Sequence, residues 1–405
     1  MKQFYFFIFT AMFTALCKMI DVSFGNNVSI DAVCVLTSYE IITWISHSIY
    51  SVGSYGYRIS LRTAKSCLFV QCIIAGCTGL VVFGLHNIIP HVYHLTNAQY
   101  NMFSDVLLMH AWGIPFLAIG DFLLQYLKLK CKNKLLWISN TIYYVMMISL
   151  DALVIGFHLD LHYLIVTTNI SYIVYDIIVF FGSSILQEQI PVNLTDMKQC
   201  IMHGYRIVVD RLFGKIAVIV FAIYASKLNT LQYAIHGVCY AIVCKCEELT
   251  DAGYDFQIVK LQTISDFKQK YNTMRYWMKK TYIPISMISV LFGIFLMILS
   301  HGSVRISDCW LFVLLYLSEM FLIQSYENRC ALLTSMQETR YLMFGGLIGS
   351  LVRVPVVLIS YYSGIGLYGF AFASGLDFLG RAAYFQLCIK HVLNCKDQIE
   401  KSDLD

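Results

Sequence analysis

Long apolar runs recur along the whole chain, and each is separated from the next by a short polar stretch. A helix needs about 20 apolar residues, at about 1.5 Å per residue, to cross a bilayer, and each run is long enough. The pattern therefore predicts an all-α polytopic membrane protein with about twelve transmembrane helices. The predicted spans are residues 4–24, 31–57, 64–86, 104–127, 135–157, 162–183, 201–226, 231–258, 276–300, 307–328, 341–361 and 366–391.

The basic residues of the connecting segments indicate how the chain is oriented. Four lysines lie in the segment 128–134, and Arg58 and Lys65 belong to an earlier loop on the same side of a twelve-helix arrangement. The opposite loops contain essentially Lys227 and Arg305. Because basic loops are retained on the cytoplasmic face, we expect a multi-pass protein of the plasma membrane with both termini in the cytoplasm.

Composition supports a membrane protein and excludes several other classes. The 405 residues are 58% hydrophobic and 13% charged, with a mean hydropathy of +0.65, whereas charged residues make up about a quarter of a soluble domain. The net charge of +4 belongs to loops and does not indicate nucleic-acid binding. The 14 cysteines show no metal-ligand spacing, and no catalytic motif appears. We expect no enzyme activity, no metal and no cofactor.

The predicted helices form two sets of six that resemble each other weakly. We predict an N-terminal lobe over residues 1–186, a cytoplasmic link over 187–200, a C-terminal lobe over 201–392 and a cytoplasmic tail over 393–405. An even number of helices per set makes this a parallel repeat about an axis along the membrane normal. Secondary transporters with such repeats bind substrate between the two halves.

Acidic residues at membrane depth fall into two groups. Some have a basic residue at helical spacing and are predicted to be neutralised by it, namely Asp210 by Arg206, Glu248 by Lys245, and Asp377 by Arg381. Others have none, and they need a partner on another helix, a water-filled cavity, a proton or a cation. These candidates for a substrate or proton site are Glu40, Asp121, Asp151, Asp176 and Glu319.

Three oxygen-bearing residues are predicted to lie at one depth. Asp21, Asp151 and Thr168 each fall roughly 6 to 9 Å below the predicted outer boundary, by the rise of their helices. Hard oxygen ligands at one level can form a small-cation or proton site. The alternative is that Thr168 bonds its own backbone and that Asp21 pairs with Lys18.

At these residues the chain resembles the multidrug and toxic compound extrusion (MATE) family of the MOP flippase superfamily. Short motifs along nearly the whole chain carry the resemblance. They are Ile20 to Gly25 in the first helix, Gly113 to Phe116 in the fourth, Lys134 to Asp151 in the fifth, Thr167 to Ser171 in the sixth, and Leu228 to Val238 at the start of the second half.

The resemblance implies a V-shaped, two-lobed antiporter that exports organic compounds, cationic or amphipathic, in exchange for protons or sodium ions. Its N-lobe cation site would consist of Asp21, Asp151 and Thr168, while Met147 stands where the family has an asparagine. A thioether is a poor ligand for sodium, so the coupling ion is left open. In the C-lobe, Asp210 and Glu319 fall near the family's acidic positions. The expected partners are a small-molecule substrate and the lipid bilayer, and we expect a monomer.

Two other readings remain open from the sequence. A flippase for lipid-linked oligosaccharide would favour a cationic central cavity, and Arg211, Lys215 and Arg353 lie near mid-membrane. A degenerate exporter is the other alternative, and Lys18 and Met147 are the observations that favour it.

Overall fold

The computed structural model describes residues 2–60, 64–183, 185, 191–300, 302, 304–305 and 310–402. Within the helices, the side chains of residues 2, 3, 21, 22, 25, 60 and 396–402 lie outside the description.

The chain folds into helices throughout its described length, and we divide them into two halves. The first half comprises α1 (Lys2–Val28), α2 (Ile30–Tyr50), α3 (Val52–Ser60), α4 (Ala64–Leu85), a 3-10 turn (Ile89–Val92), α5 (Asn97–Leu129), α6 (Asn133–Gly156) and α7 (His162–Gly182). The second half comprises α8 (Leu194–Ser226), α9 (Thr230–Leu261), α10 (Phe267–Leu299), α11 (Trp310–Ser318), α12 (Met320–Ser335), α13 (Thr339–Leu342), α14 (Gly345–Tyr362) and α15 (Leu367–Ser402).

The all-helical fold class is confirmed, and helix occupies each of the twelve predicted spans along the described residues. Seven of the described helices are individually long and apolar enough to cross a membrane. Two of the predicted spans are interrupted, since α2 and α3 meet at Ser51 and α11 and α12 meet at Glu319. Both interruptions fall inside stretches that the apolar pattern predicts as single helices.

Several helices begin well before the apolar run that predicts them, because polar residues in the loops cap them. Thr96 and Gln99 form a capping box that starts α5 at Asn97. The side chain of Asn193 accepts hydrogen bonds from two backbone amides and starts α8 at Leu194, within the segment predicted as a link. The caps extend these helices beyond their apolar runs, which no hydropathy pattern detects.

The two halves pack against each other along α8 and α9. Near its start, α8 lies against α3, where Gly56 approaches the backbone of Cys200 and Gly204 approaches that of Val52. Further along the chain, α9 packs on α1 and α2 of the first half and on α10 and α12 of the second. α9 therefore belongs to both the core of its own half and the boundary between the halves.

Close packing of α14 on α8 depends on a glycine. A Cβ at Gly346 would lie 1.9 Å from the carbonyl oxygen of Asp210, and overpacking of this kind costs about 1–3 kcal/mol. We expect Gly346→Ala to lower the thermal denaturation midpoint of the detergent-purified protein. The matched control is Gly76→Ala in α4, where a Cβ meets nothing within 4 Å and alanine favours the helix. Equal midpoints for both variants would contradict this packing.

Candidate functional site

One face of α9 carries a line of charged residues at the boundary between the halves. Lys245, Glu248, Asp251 and Asp255 follow one another at spacings of three, three and four residues. Such spacings put side chains on the same side of a helix, one above another. Charged side chains at membrane depth require partners of opposite charge. The residues that surround α9 therefore include the partners of these four charges.

Three of these charges pair with the first half. The ammonium of Lys18 in α1 lies 2.7 Å from a carboxylate oxygen of Glu248, and Lys245 lies 3.1 Å from Glu40 in α2. The predicted pair of Lys245 with Glu248 on one helix is therefore wrong, because each of them finds a closer partner across the boundary. Lys18 is likewise engaged by Glu248, which is not the partner predicted for it.

The third charge, Asp255, joins two basic residues of the first half. Arg58 in α3 approaches one carboxylate oxygen at 3.2 Å, and Lys128 in α5 approaches the other at 2.7 Å. Arg58 is fixed further by Gln125, which accepts from its Nε at 3.3 Å, and by the ring of Tyr254 at 5.3 Å. This end of the boundary is closed by a buried ion-pair network.

The opposite end of the boundary is closed as well, by neutral hydrogen bonds. The hydroxyls of Ser38 in α2 and Tyr233 in α9 lie 2.8 Å apart. The side chain of Asn26 accepts from the backbone amide of Val304 at 3.2 Å. The structure thus shows the two halves in contact at both ends.

The predicted cation site is brought together in part. Asp151 is fully buried in α6, and the hydroxyl of Thr167 donates to its carboxylate. Thr168 instead donates to the backbone oxygen of Leu164 at 3.0 Å, because neighbouring residues of a helix point about 100° apart. Thr167 is therefore the hydroxyl beside Asp151. Asp21 belongs to α1, but its side chain lies outside the described residues.

Asp121, which has no partner on its own helix, is held by the junction of α2 and α3. His47 Nε2 lies 3.3 Å from one carboxylate oxygen, and the hydroxyls of Ser51 and Ser54 each donate to the other at 3.1 Å. These partners come from sequence positions about 70 residues earlier, so the local pattern cannot reveal them.

Two acids remain buried with few polar neighbours: Asp176 has no hydrogen bond to a described group, and Glu319 has only the Ser374 side chain beside it. Asp176 in α7 faces Gly120 of α5, and Glu319 at the junction of α11 and α12 faces Gly375 of α15. An isolated ionised carboxylate is very costly in an apolar environment, and such a group is neutralised instead. Both residues are therefore suited to carry a proton at membrane depth.

The remaining predicted acids serve packing. Asp210 accepts from the backbone amide of Gly346 and so stabilises the start of α14. The predicted pair of Arg206 with Asp210 is wrong, since Arg206 donates to Thr339 at 3.2 Å. The pair of Asp377 with Arg381 is confirmed, with a hydrogen bond of 3.0 Å.

A mixed-charge cluster, which the acidic pattern misses, lies where α2, α8, α9 and α12 meet. Lys215 Nζ lies 3.9 Å above the ring of Trp44, so the contact crosses between the halves. Arg211, one turn before Lys215, lies 3.7 Å from Glu327. The members of the cluster are Trp44, Arg211, Lys215, Glu247, Asp251 and Glu327. Among the described side chains, this cluster included, no group of three or more His, Cys, Asp or Glu could hold a metal ion.

Comparison with solved structures identifies the architecture. An inward-facing multidrug resistance MATE transporter of the MOP superfamily superposes with a TM-score of 0.73 at 11% identity, over 95% of this chain and 96% of that one. An outward-facing one gives a TM-score of 0.72 at 10% identity, over 98% and 96%. The chain has the MATE fold.

A third neighbour with the MATE fold is a MOP superfamily transporter from Pyrococcus furiosus, described as having a binding pocket of reversed polarity. It superposes with a TM-score of 0.70 at 12% identity, over 97% of this chain and 96% of that chain. No protein-family sequence model and no curated protein sequence matches the chain.

The Asp255 network yields a test of the boundary. Removal of one partner from a buried ion pair costs on the order of 3 kcal/mol, since it leaves the other charges unpaired. We expect Asp255→Asn to lower the denaturation midpoint and to raise hydrogen exchange in α3 and the end of α9. The control is Glu338→Gln, whose pair with Arg340 lies at the surface and is worth about 0–1 kcal/mol. Unchanged exchange in Asp255→Asn would contradict the network.

Proposed function

We propose that the protein is a secondary active transporter, which exports organic compounds across the plasma membrane by alternating access in exchange for protons or sodium ions. It acts as a monomer with both termini in the cytoplasm. The observation that carries this proposal is the charged boundary between the halves, with Lys18, Glu40, Arg58 and Lys128 on one side and α9 on the other.

A charged boundary allows the two halves to adopt both a closed arrangement and an open one. An apolar interface loses its stabilisation when water enters, whereas charged partners become hydrated when they separate. The ion pairs can therefore form in the closed state and be replaced by water when the cleft opens. The MATE fold occurs in both inward-facing and outward-facing forms among the structural neighbours, and this supports the same alternation here.

The coupling site in this proposal centres on Asp151. Its carboxylate is fully buried and contacts the Thr167 hydroxyl, and Asp21 belongs to the neighbouring α1. Met147, one turn before Asp151, is buried and offers no hard oxygen, which favours a proton over sodium. A ligand that binds one arrangement better shifts the equilibrium by its difference in affinity, so ion and substrate can drive each other.

The flippase alternative depends on the cationic residues at mid-membrane. Arg353 lies 3.6 Å from Asp377, and Arg211 lies 3.7 Å from Glu327, so neither cation stands alone. Lys215 is the cation that favours a phosphate-bearing substrate. Since the acid Glu247 acts on Lys215 electrostatically, an exporter of organic compounds accounts for more of the site than a flippase does.

Adjacent threonines provide a matched test of the coupling site. In everted membrane vesicles, we expect an imposed proton gradient to drive substrate uptake by the wild type. Asp151→Asn should abolish the uptake, Thr167→Val should reduce it about tenfold or more because it removes a charge-assisted hydrogen bond, and Thr168→Val should leave it nearly unchanged. Equal effects of the two threonine changes would contradict the site. Absence of gradient-driven uptake in the wild type would favour the flippase or a degenerate exporter.

A further inference from the structure

We propose that the start of α10 binds an anionic phospholipid, with the lipid phosphate at Lys279 and Lys280 and the acyl chains along the apolar part of the same helix face. This inference goes beyond the proposed function, because it requires only that α10 crosses the membrane. The site lies at the end of α10 that faces the cytoplasm in the proposed orientation.

One face of α10 changes from polar to apolar within a single turn. Exposed side chains follow one another along it at spacings of three or four residues, which places them on the same side of the helix. In chain order they are Tyr276, Lys280, Ile283, Met287, Leu291 and Phe295. Since α10 is long and apolar enough to cross a membrane, the step from Lys280 to Ile283 marks the level at which lipid headgroups meet acyl chains.

The polar end of α10 carries an excess of positive charge. Residues 266–280 include five basic side chains and one acid. The acid, Asp266, caps the helix by accepting a hydrogen bond from the amide of Gln269, and Lys270 donates to the backbone oxygen of Ser335. The other four basic side chains are exposed and form no ion pair with a described carboxylate, namely Lys268, Arg275, Lys279 and Lys280. Clusters of four to eight basic residues next to a spanning helix are typical of anionic-lipid binding.

A groove of about 640 Å³ lies along this end of α10, within the range of about 300–1,000 Å³ that is usual for ligand sites. Its lining includes Lys268, Gln269, Asn272, Thr273, Tyr276 and Trp277. The amides and the threonine hydroxyl among them can form hydrogen bonds with the polar part of a lipid headgroup. The one acid of the groove, Asp266, lies about 20 Å along the helix from Lys279, so the lysines are left to the phosphate.

Two aromatic residues fix the geometry between the groove and the apolar face. The ammonium of Lys280 lies 4.3 Å from the centre of the Tyr276 ring and donates to the Tyr276 hydroxyl. Trp277 packs edge-to-face on Phe256 of α9, with 5.0 Å between the ring centres. Tyrosine and tryptophan are enriched at the headgroup level of membranes. The two rings therefore place the lysines beside the phosphates of the bilayer.

An anionic phospholipid is the ligand that matches both parts of this face. A soluble phosphate ester would contact the lysines but leave Ile283 and Leu291 uncovered. A zwitterionic lipid would cover the apolar residues, but its own cationic group would be repelled by the excess of basic side chains. The alternative is that the basic residues serve only to orient the chain in the membrane, and in that case their positions on α10 would not affect lipid binding.

Native mass spectrometry of the purified full-length protein measures the binding directly. The protein in detergent is titrated with phosphatidylglycerol or with phosphatidylcholine of the same acyl chains. We expect the first phosphatidylglycerol to bind about tenfold or more tightly than the first phosphatidylcholine, because each basic residue near the surface attracts the anionic headgroup. An excess of sn-glycerol 3-phosphate should not displace the lipid, since it has no acyl chains.

Two double variants with the same loss of charge then assign the site. Lys279→Gln with Lys280→Gln should weaken phosphatidylglycerol binding about tenfold and leave phosphatidylcholine unchanged. Lys198→Gln with Lys390→Gln alters exposed residues at the start of α8 and near the end of α15 and should change neither. The inference is overturned if the wild type binds both lipids equally, if the two double variants behave alike, or if glycerol phosphate displaces the lipid.

Discussion

The ion pairs between α9 and the first half are the constraint on which the rest of the structure depends. A charge at membrane depth is stable only beside an opposite charge or in water, and among the described side chains Lys18, Glu40 and Asp255 find their opposite charges across the boundary. The halves must therefore be in contact, or the boundary must fill with water. Under the proposed function, the same interactions that close the molecule would also separate its two alternative states.

The acids at membrane depth divide by environment into three roles. Asp121, Asp210 and Asp377 are held by several protein groups and fix the helices that carry them. Asp176 is buried without a hydrogen bond to a described group, Glu319 is buried with only Ser374 beside it, and both are suited to protonation. Glu247 and Asp251 lie one turn apart on α9, where Glu247 is partly exposed and Asp251 is exposed. This division separates acids that hold helices together from acids that protein groups leave unneutralised.

The apolar pattern correctly predicts helix over the twelve spans, though not the interruptions at Ser51 and Glu319, because the length of a run is a local property of the chain. The partners of charged residues are not local: Lys245 pairs with Glu40, 205 positions away, although Glu248 is only three residues along. Thr167 and Thr168 are adjacent, so their side chains point about 100° apart around the helix. An argument from depth gives the height of a residue in the membrane but not this direction, so it cannot tell which threonine faces Asp151. Asp377 and Arg381 were predictable because their contact lies within one helix.

The central claim is that the boundary along α9 closes at one end when it opens at the other. The direct measurement is the distance between spin labels in a cysteine-free background, with one pair at Val28 and Leu231 and another at Cys131 and Ser265, all of which are exposed. As pH is lowered or substrate is added, one distance should lengthen while the other shortens. Distances that stay fixed in both pairs, or that change together, would contradict the account.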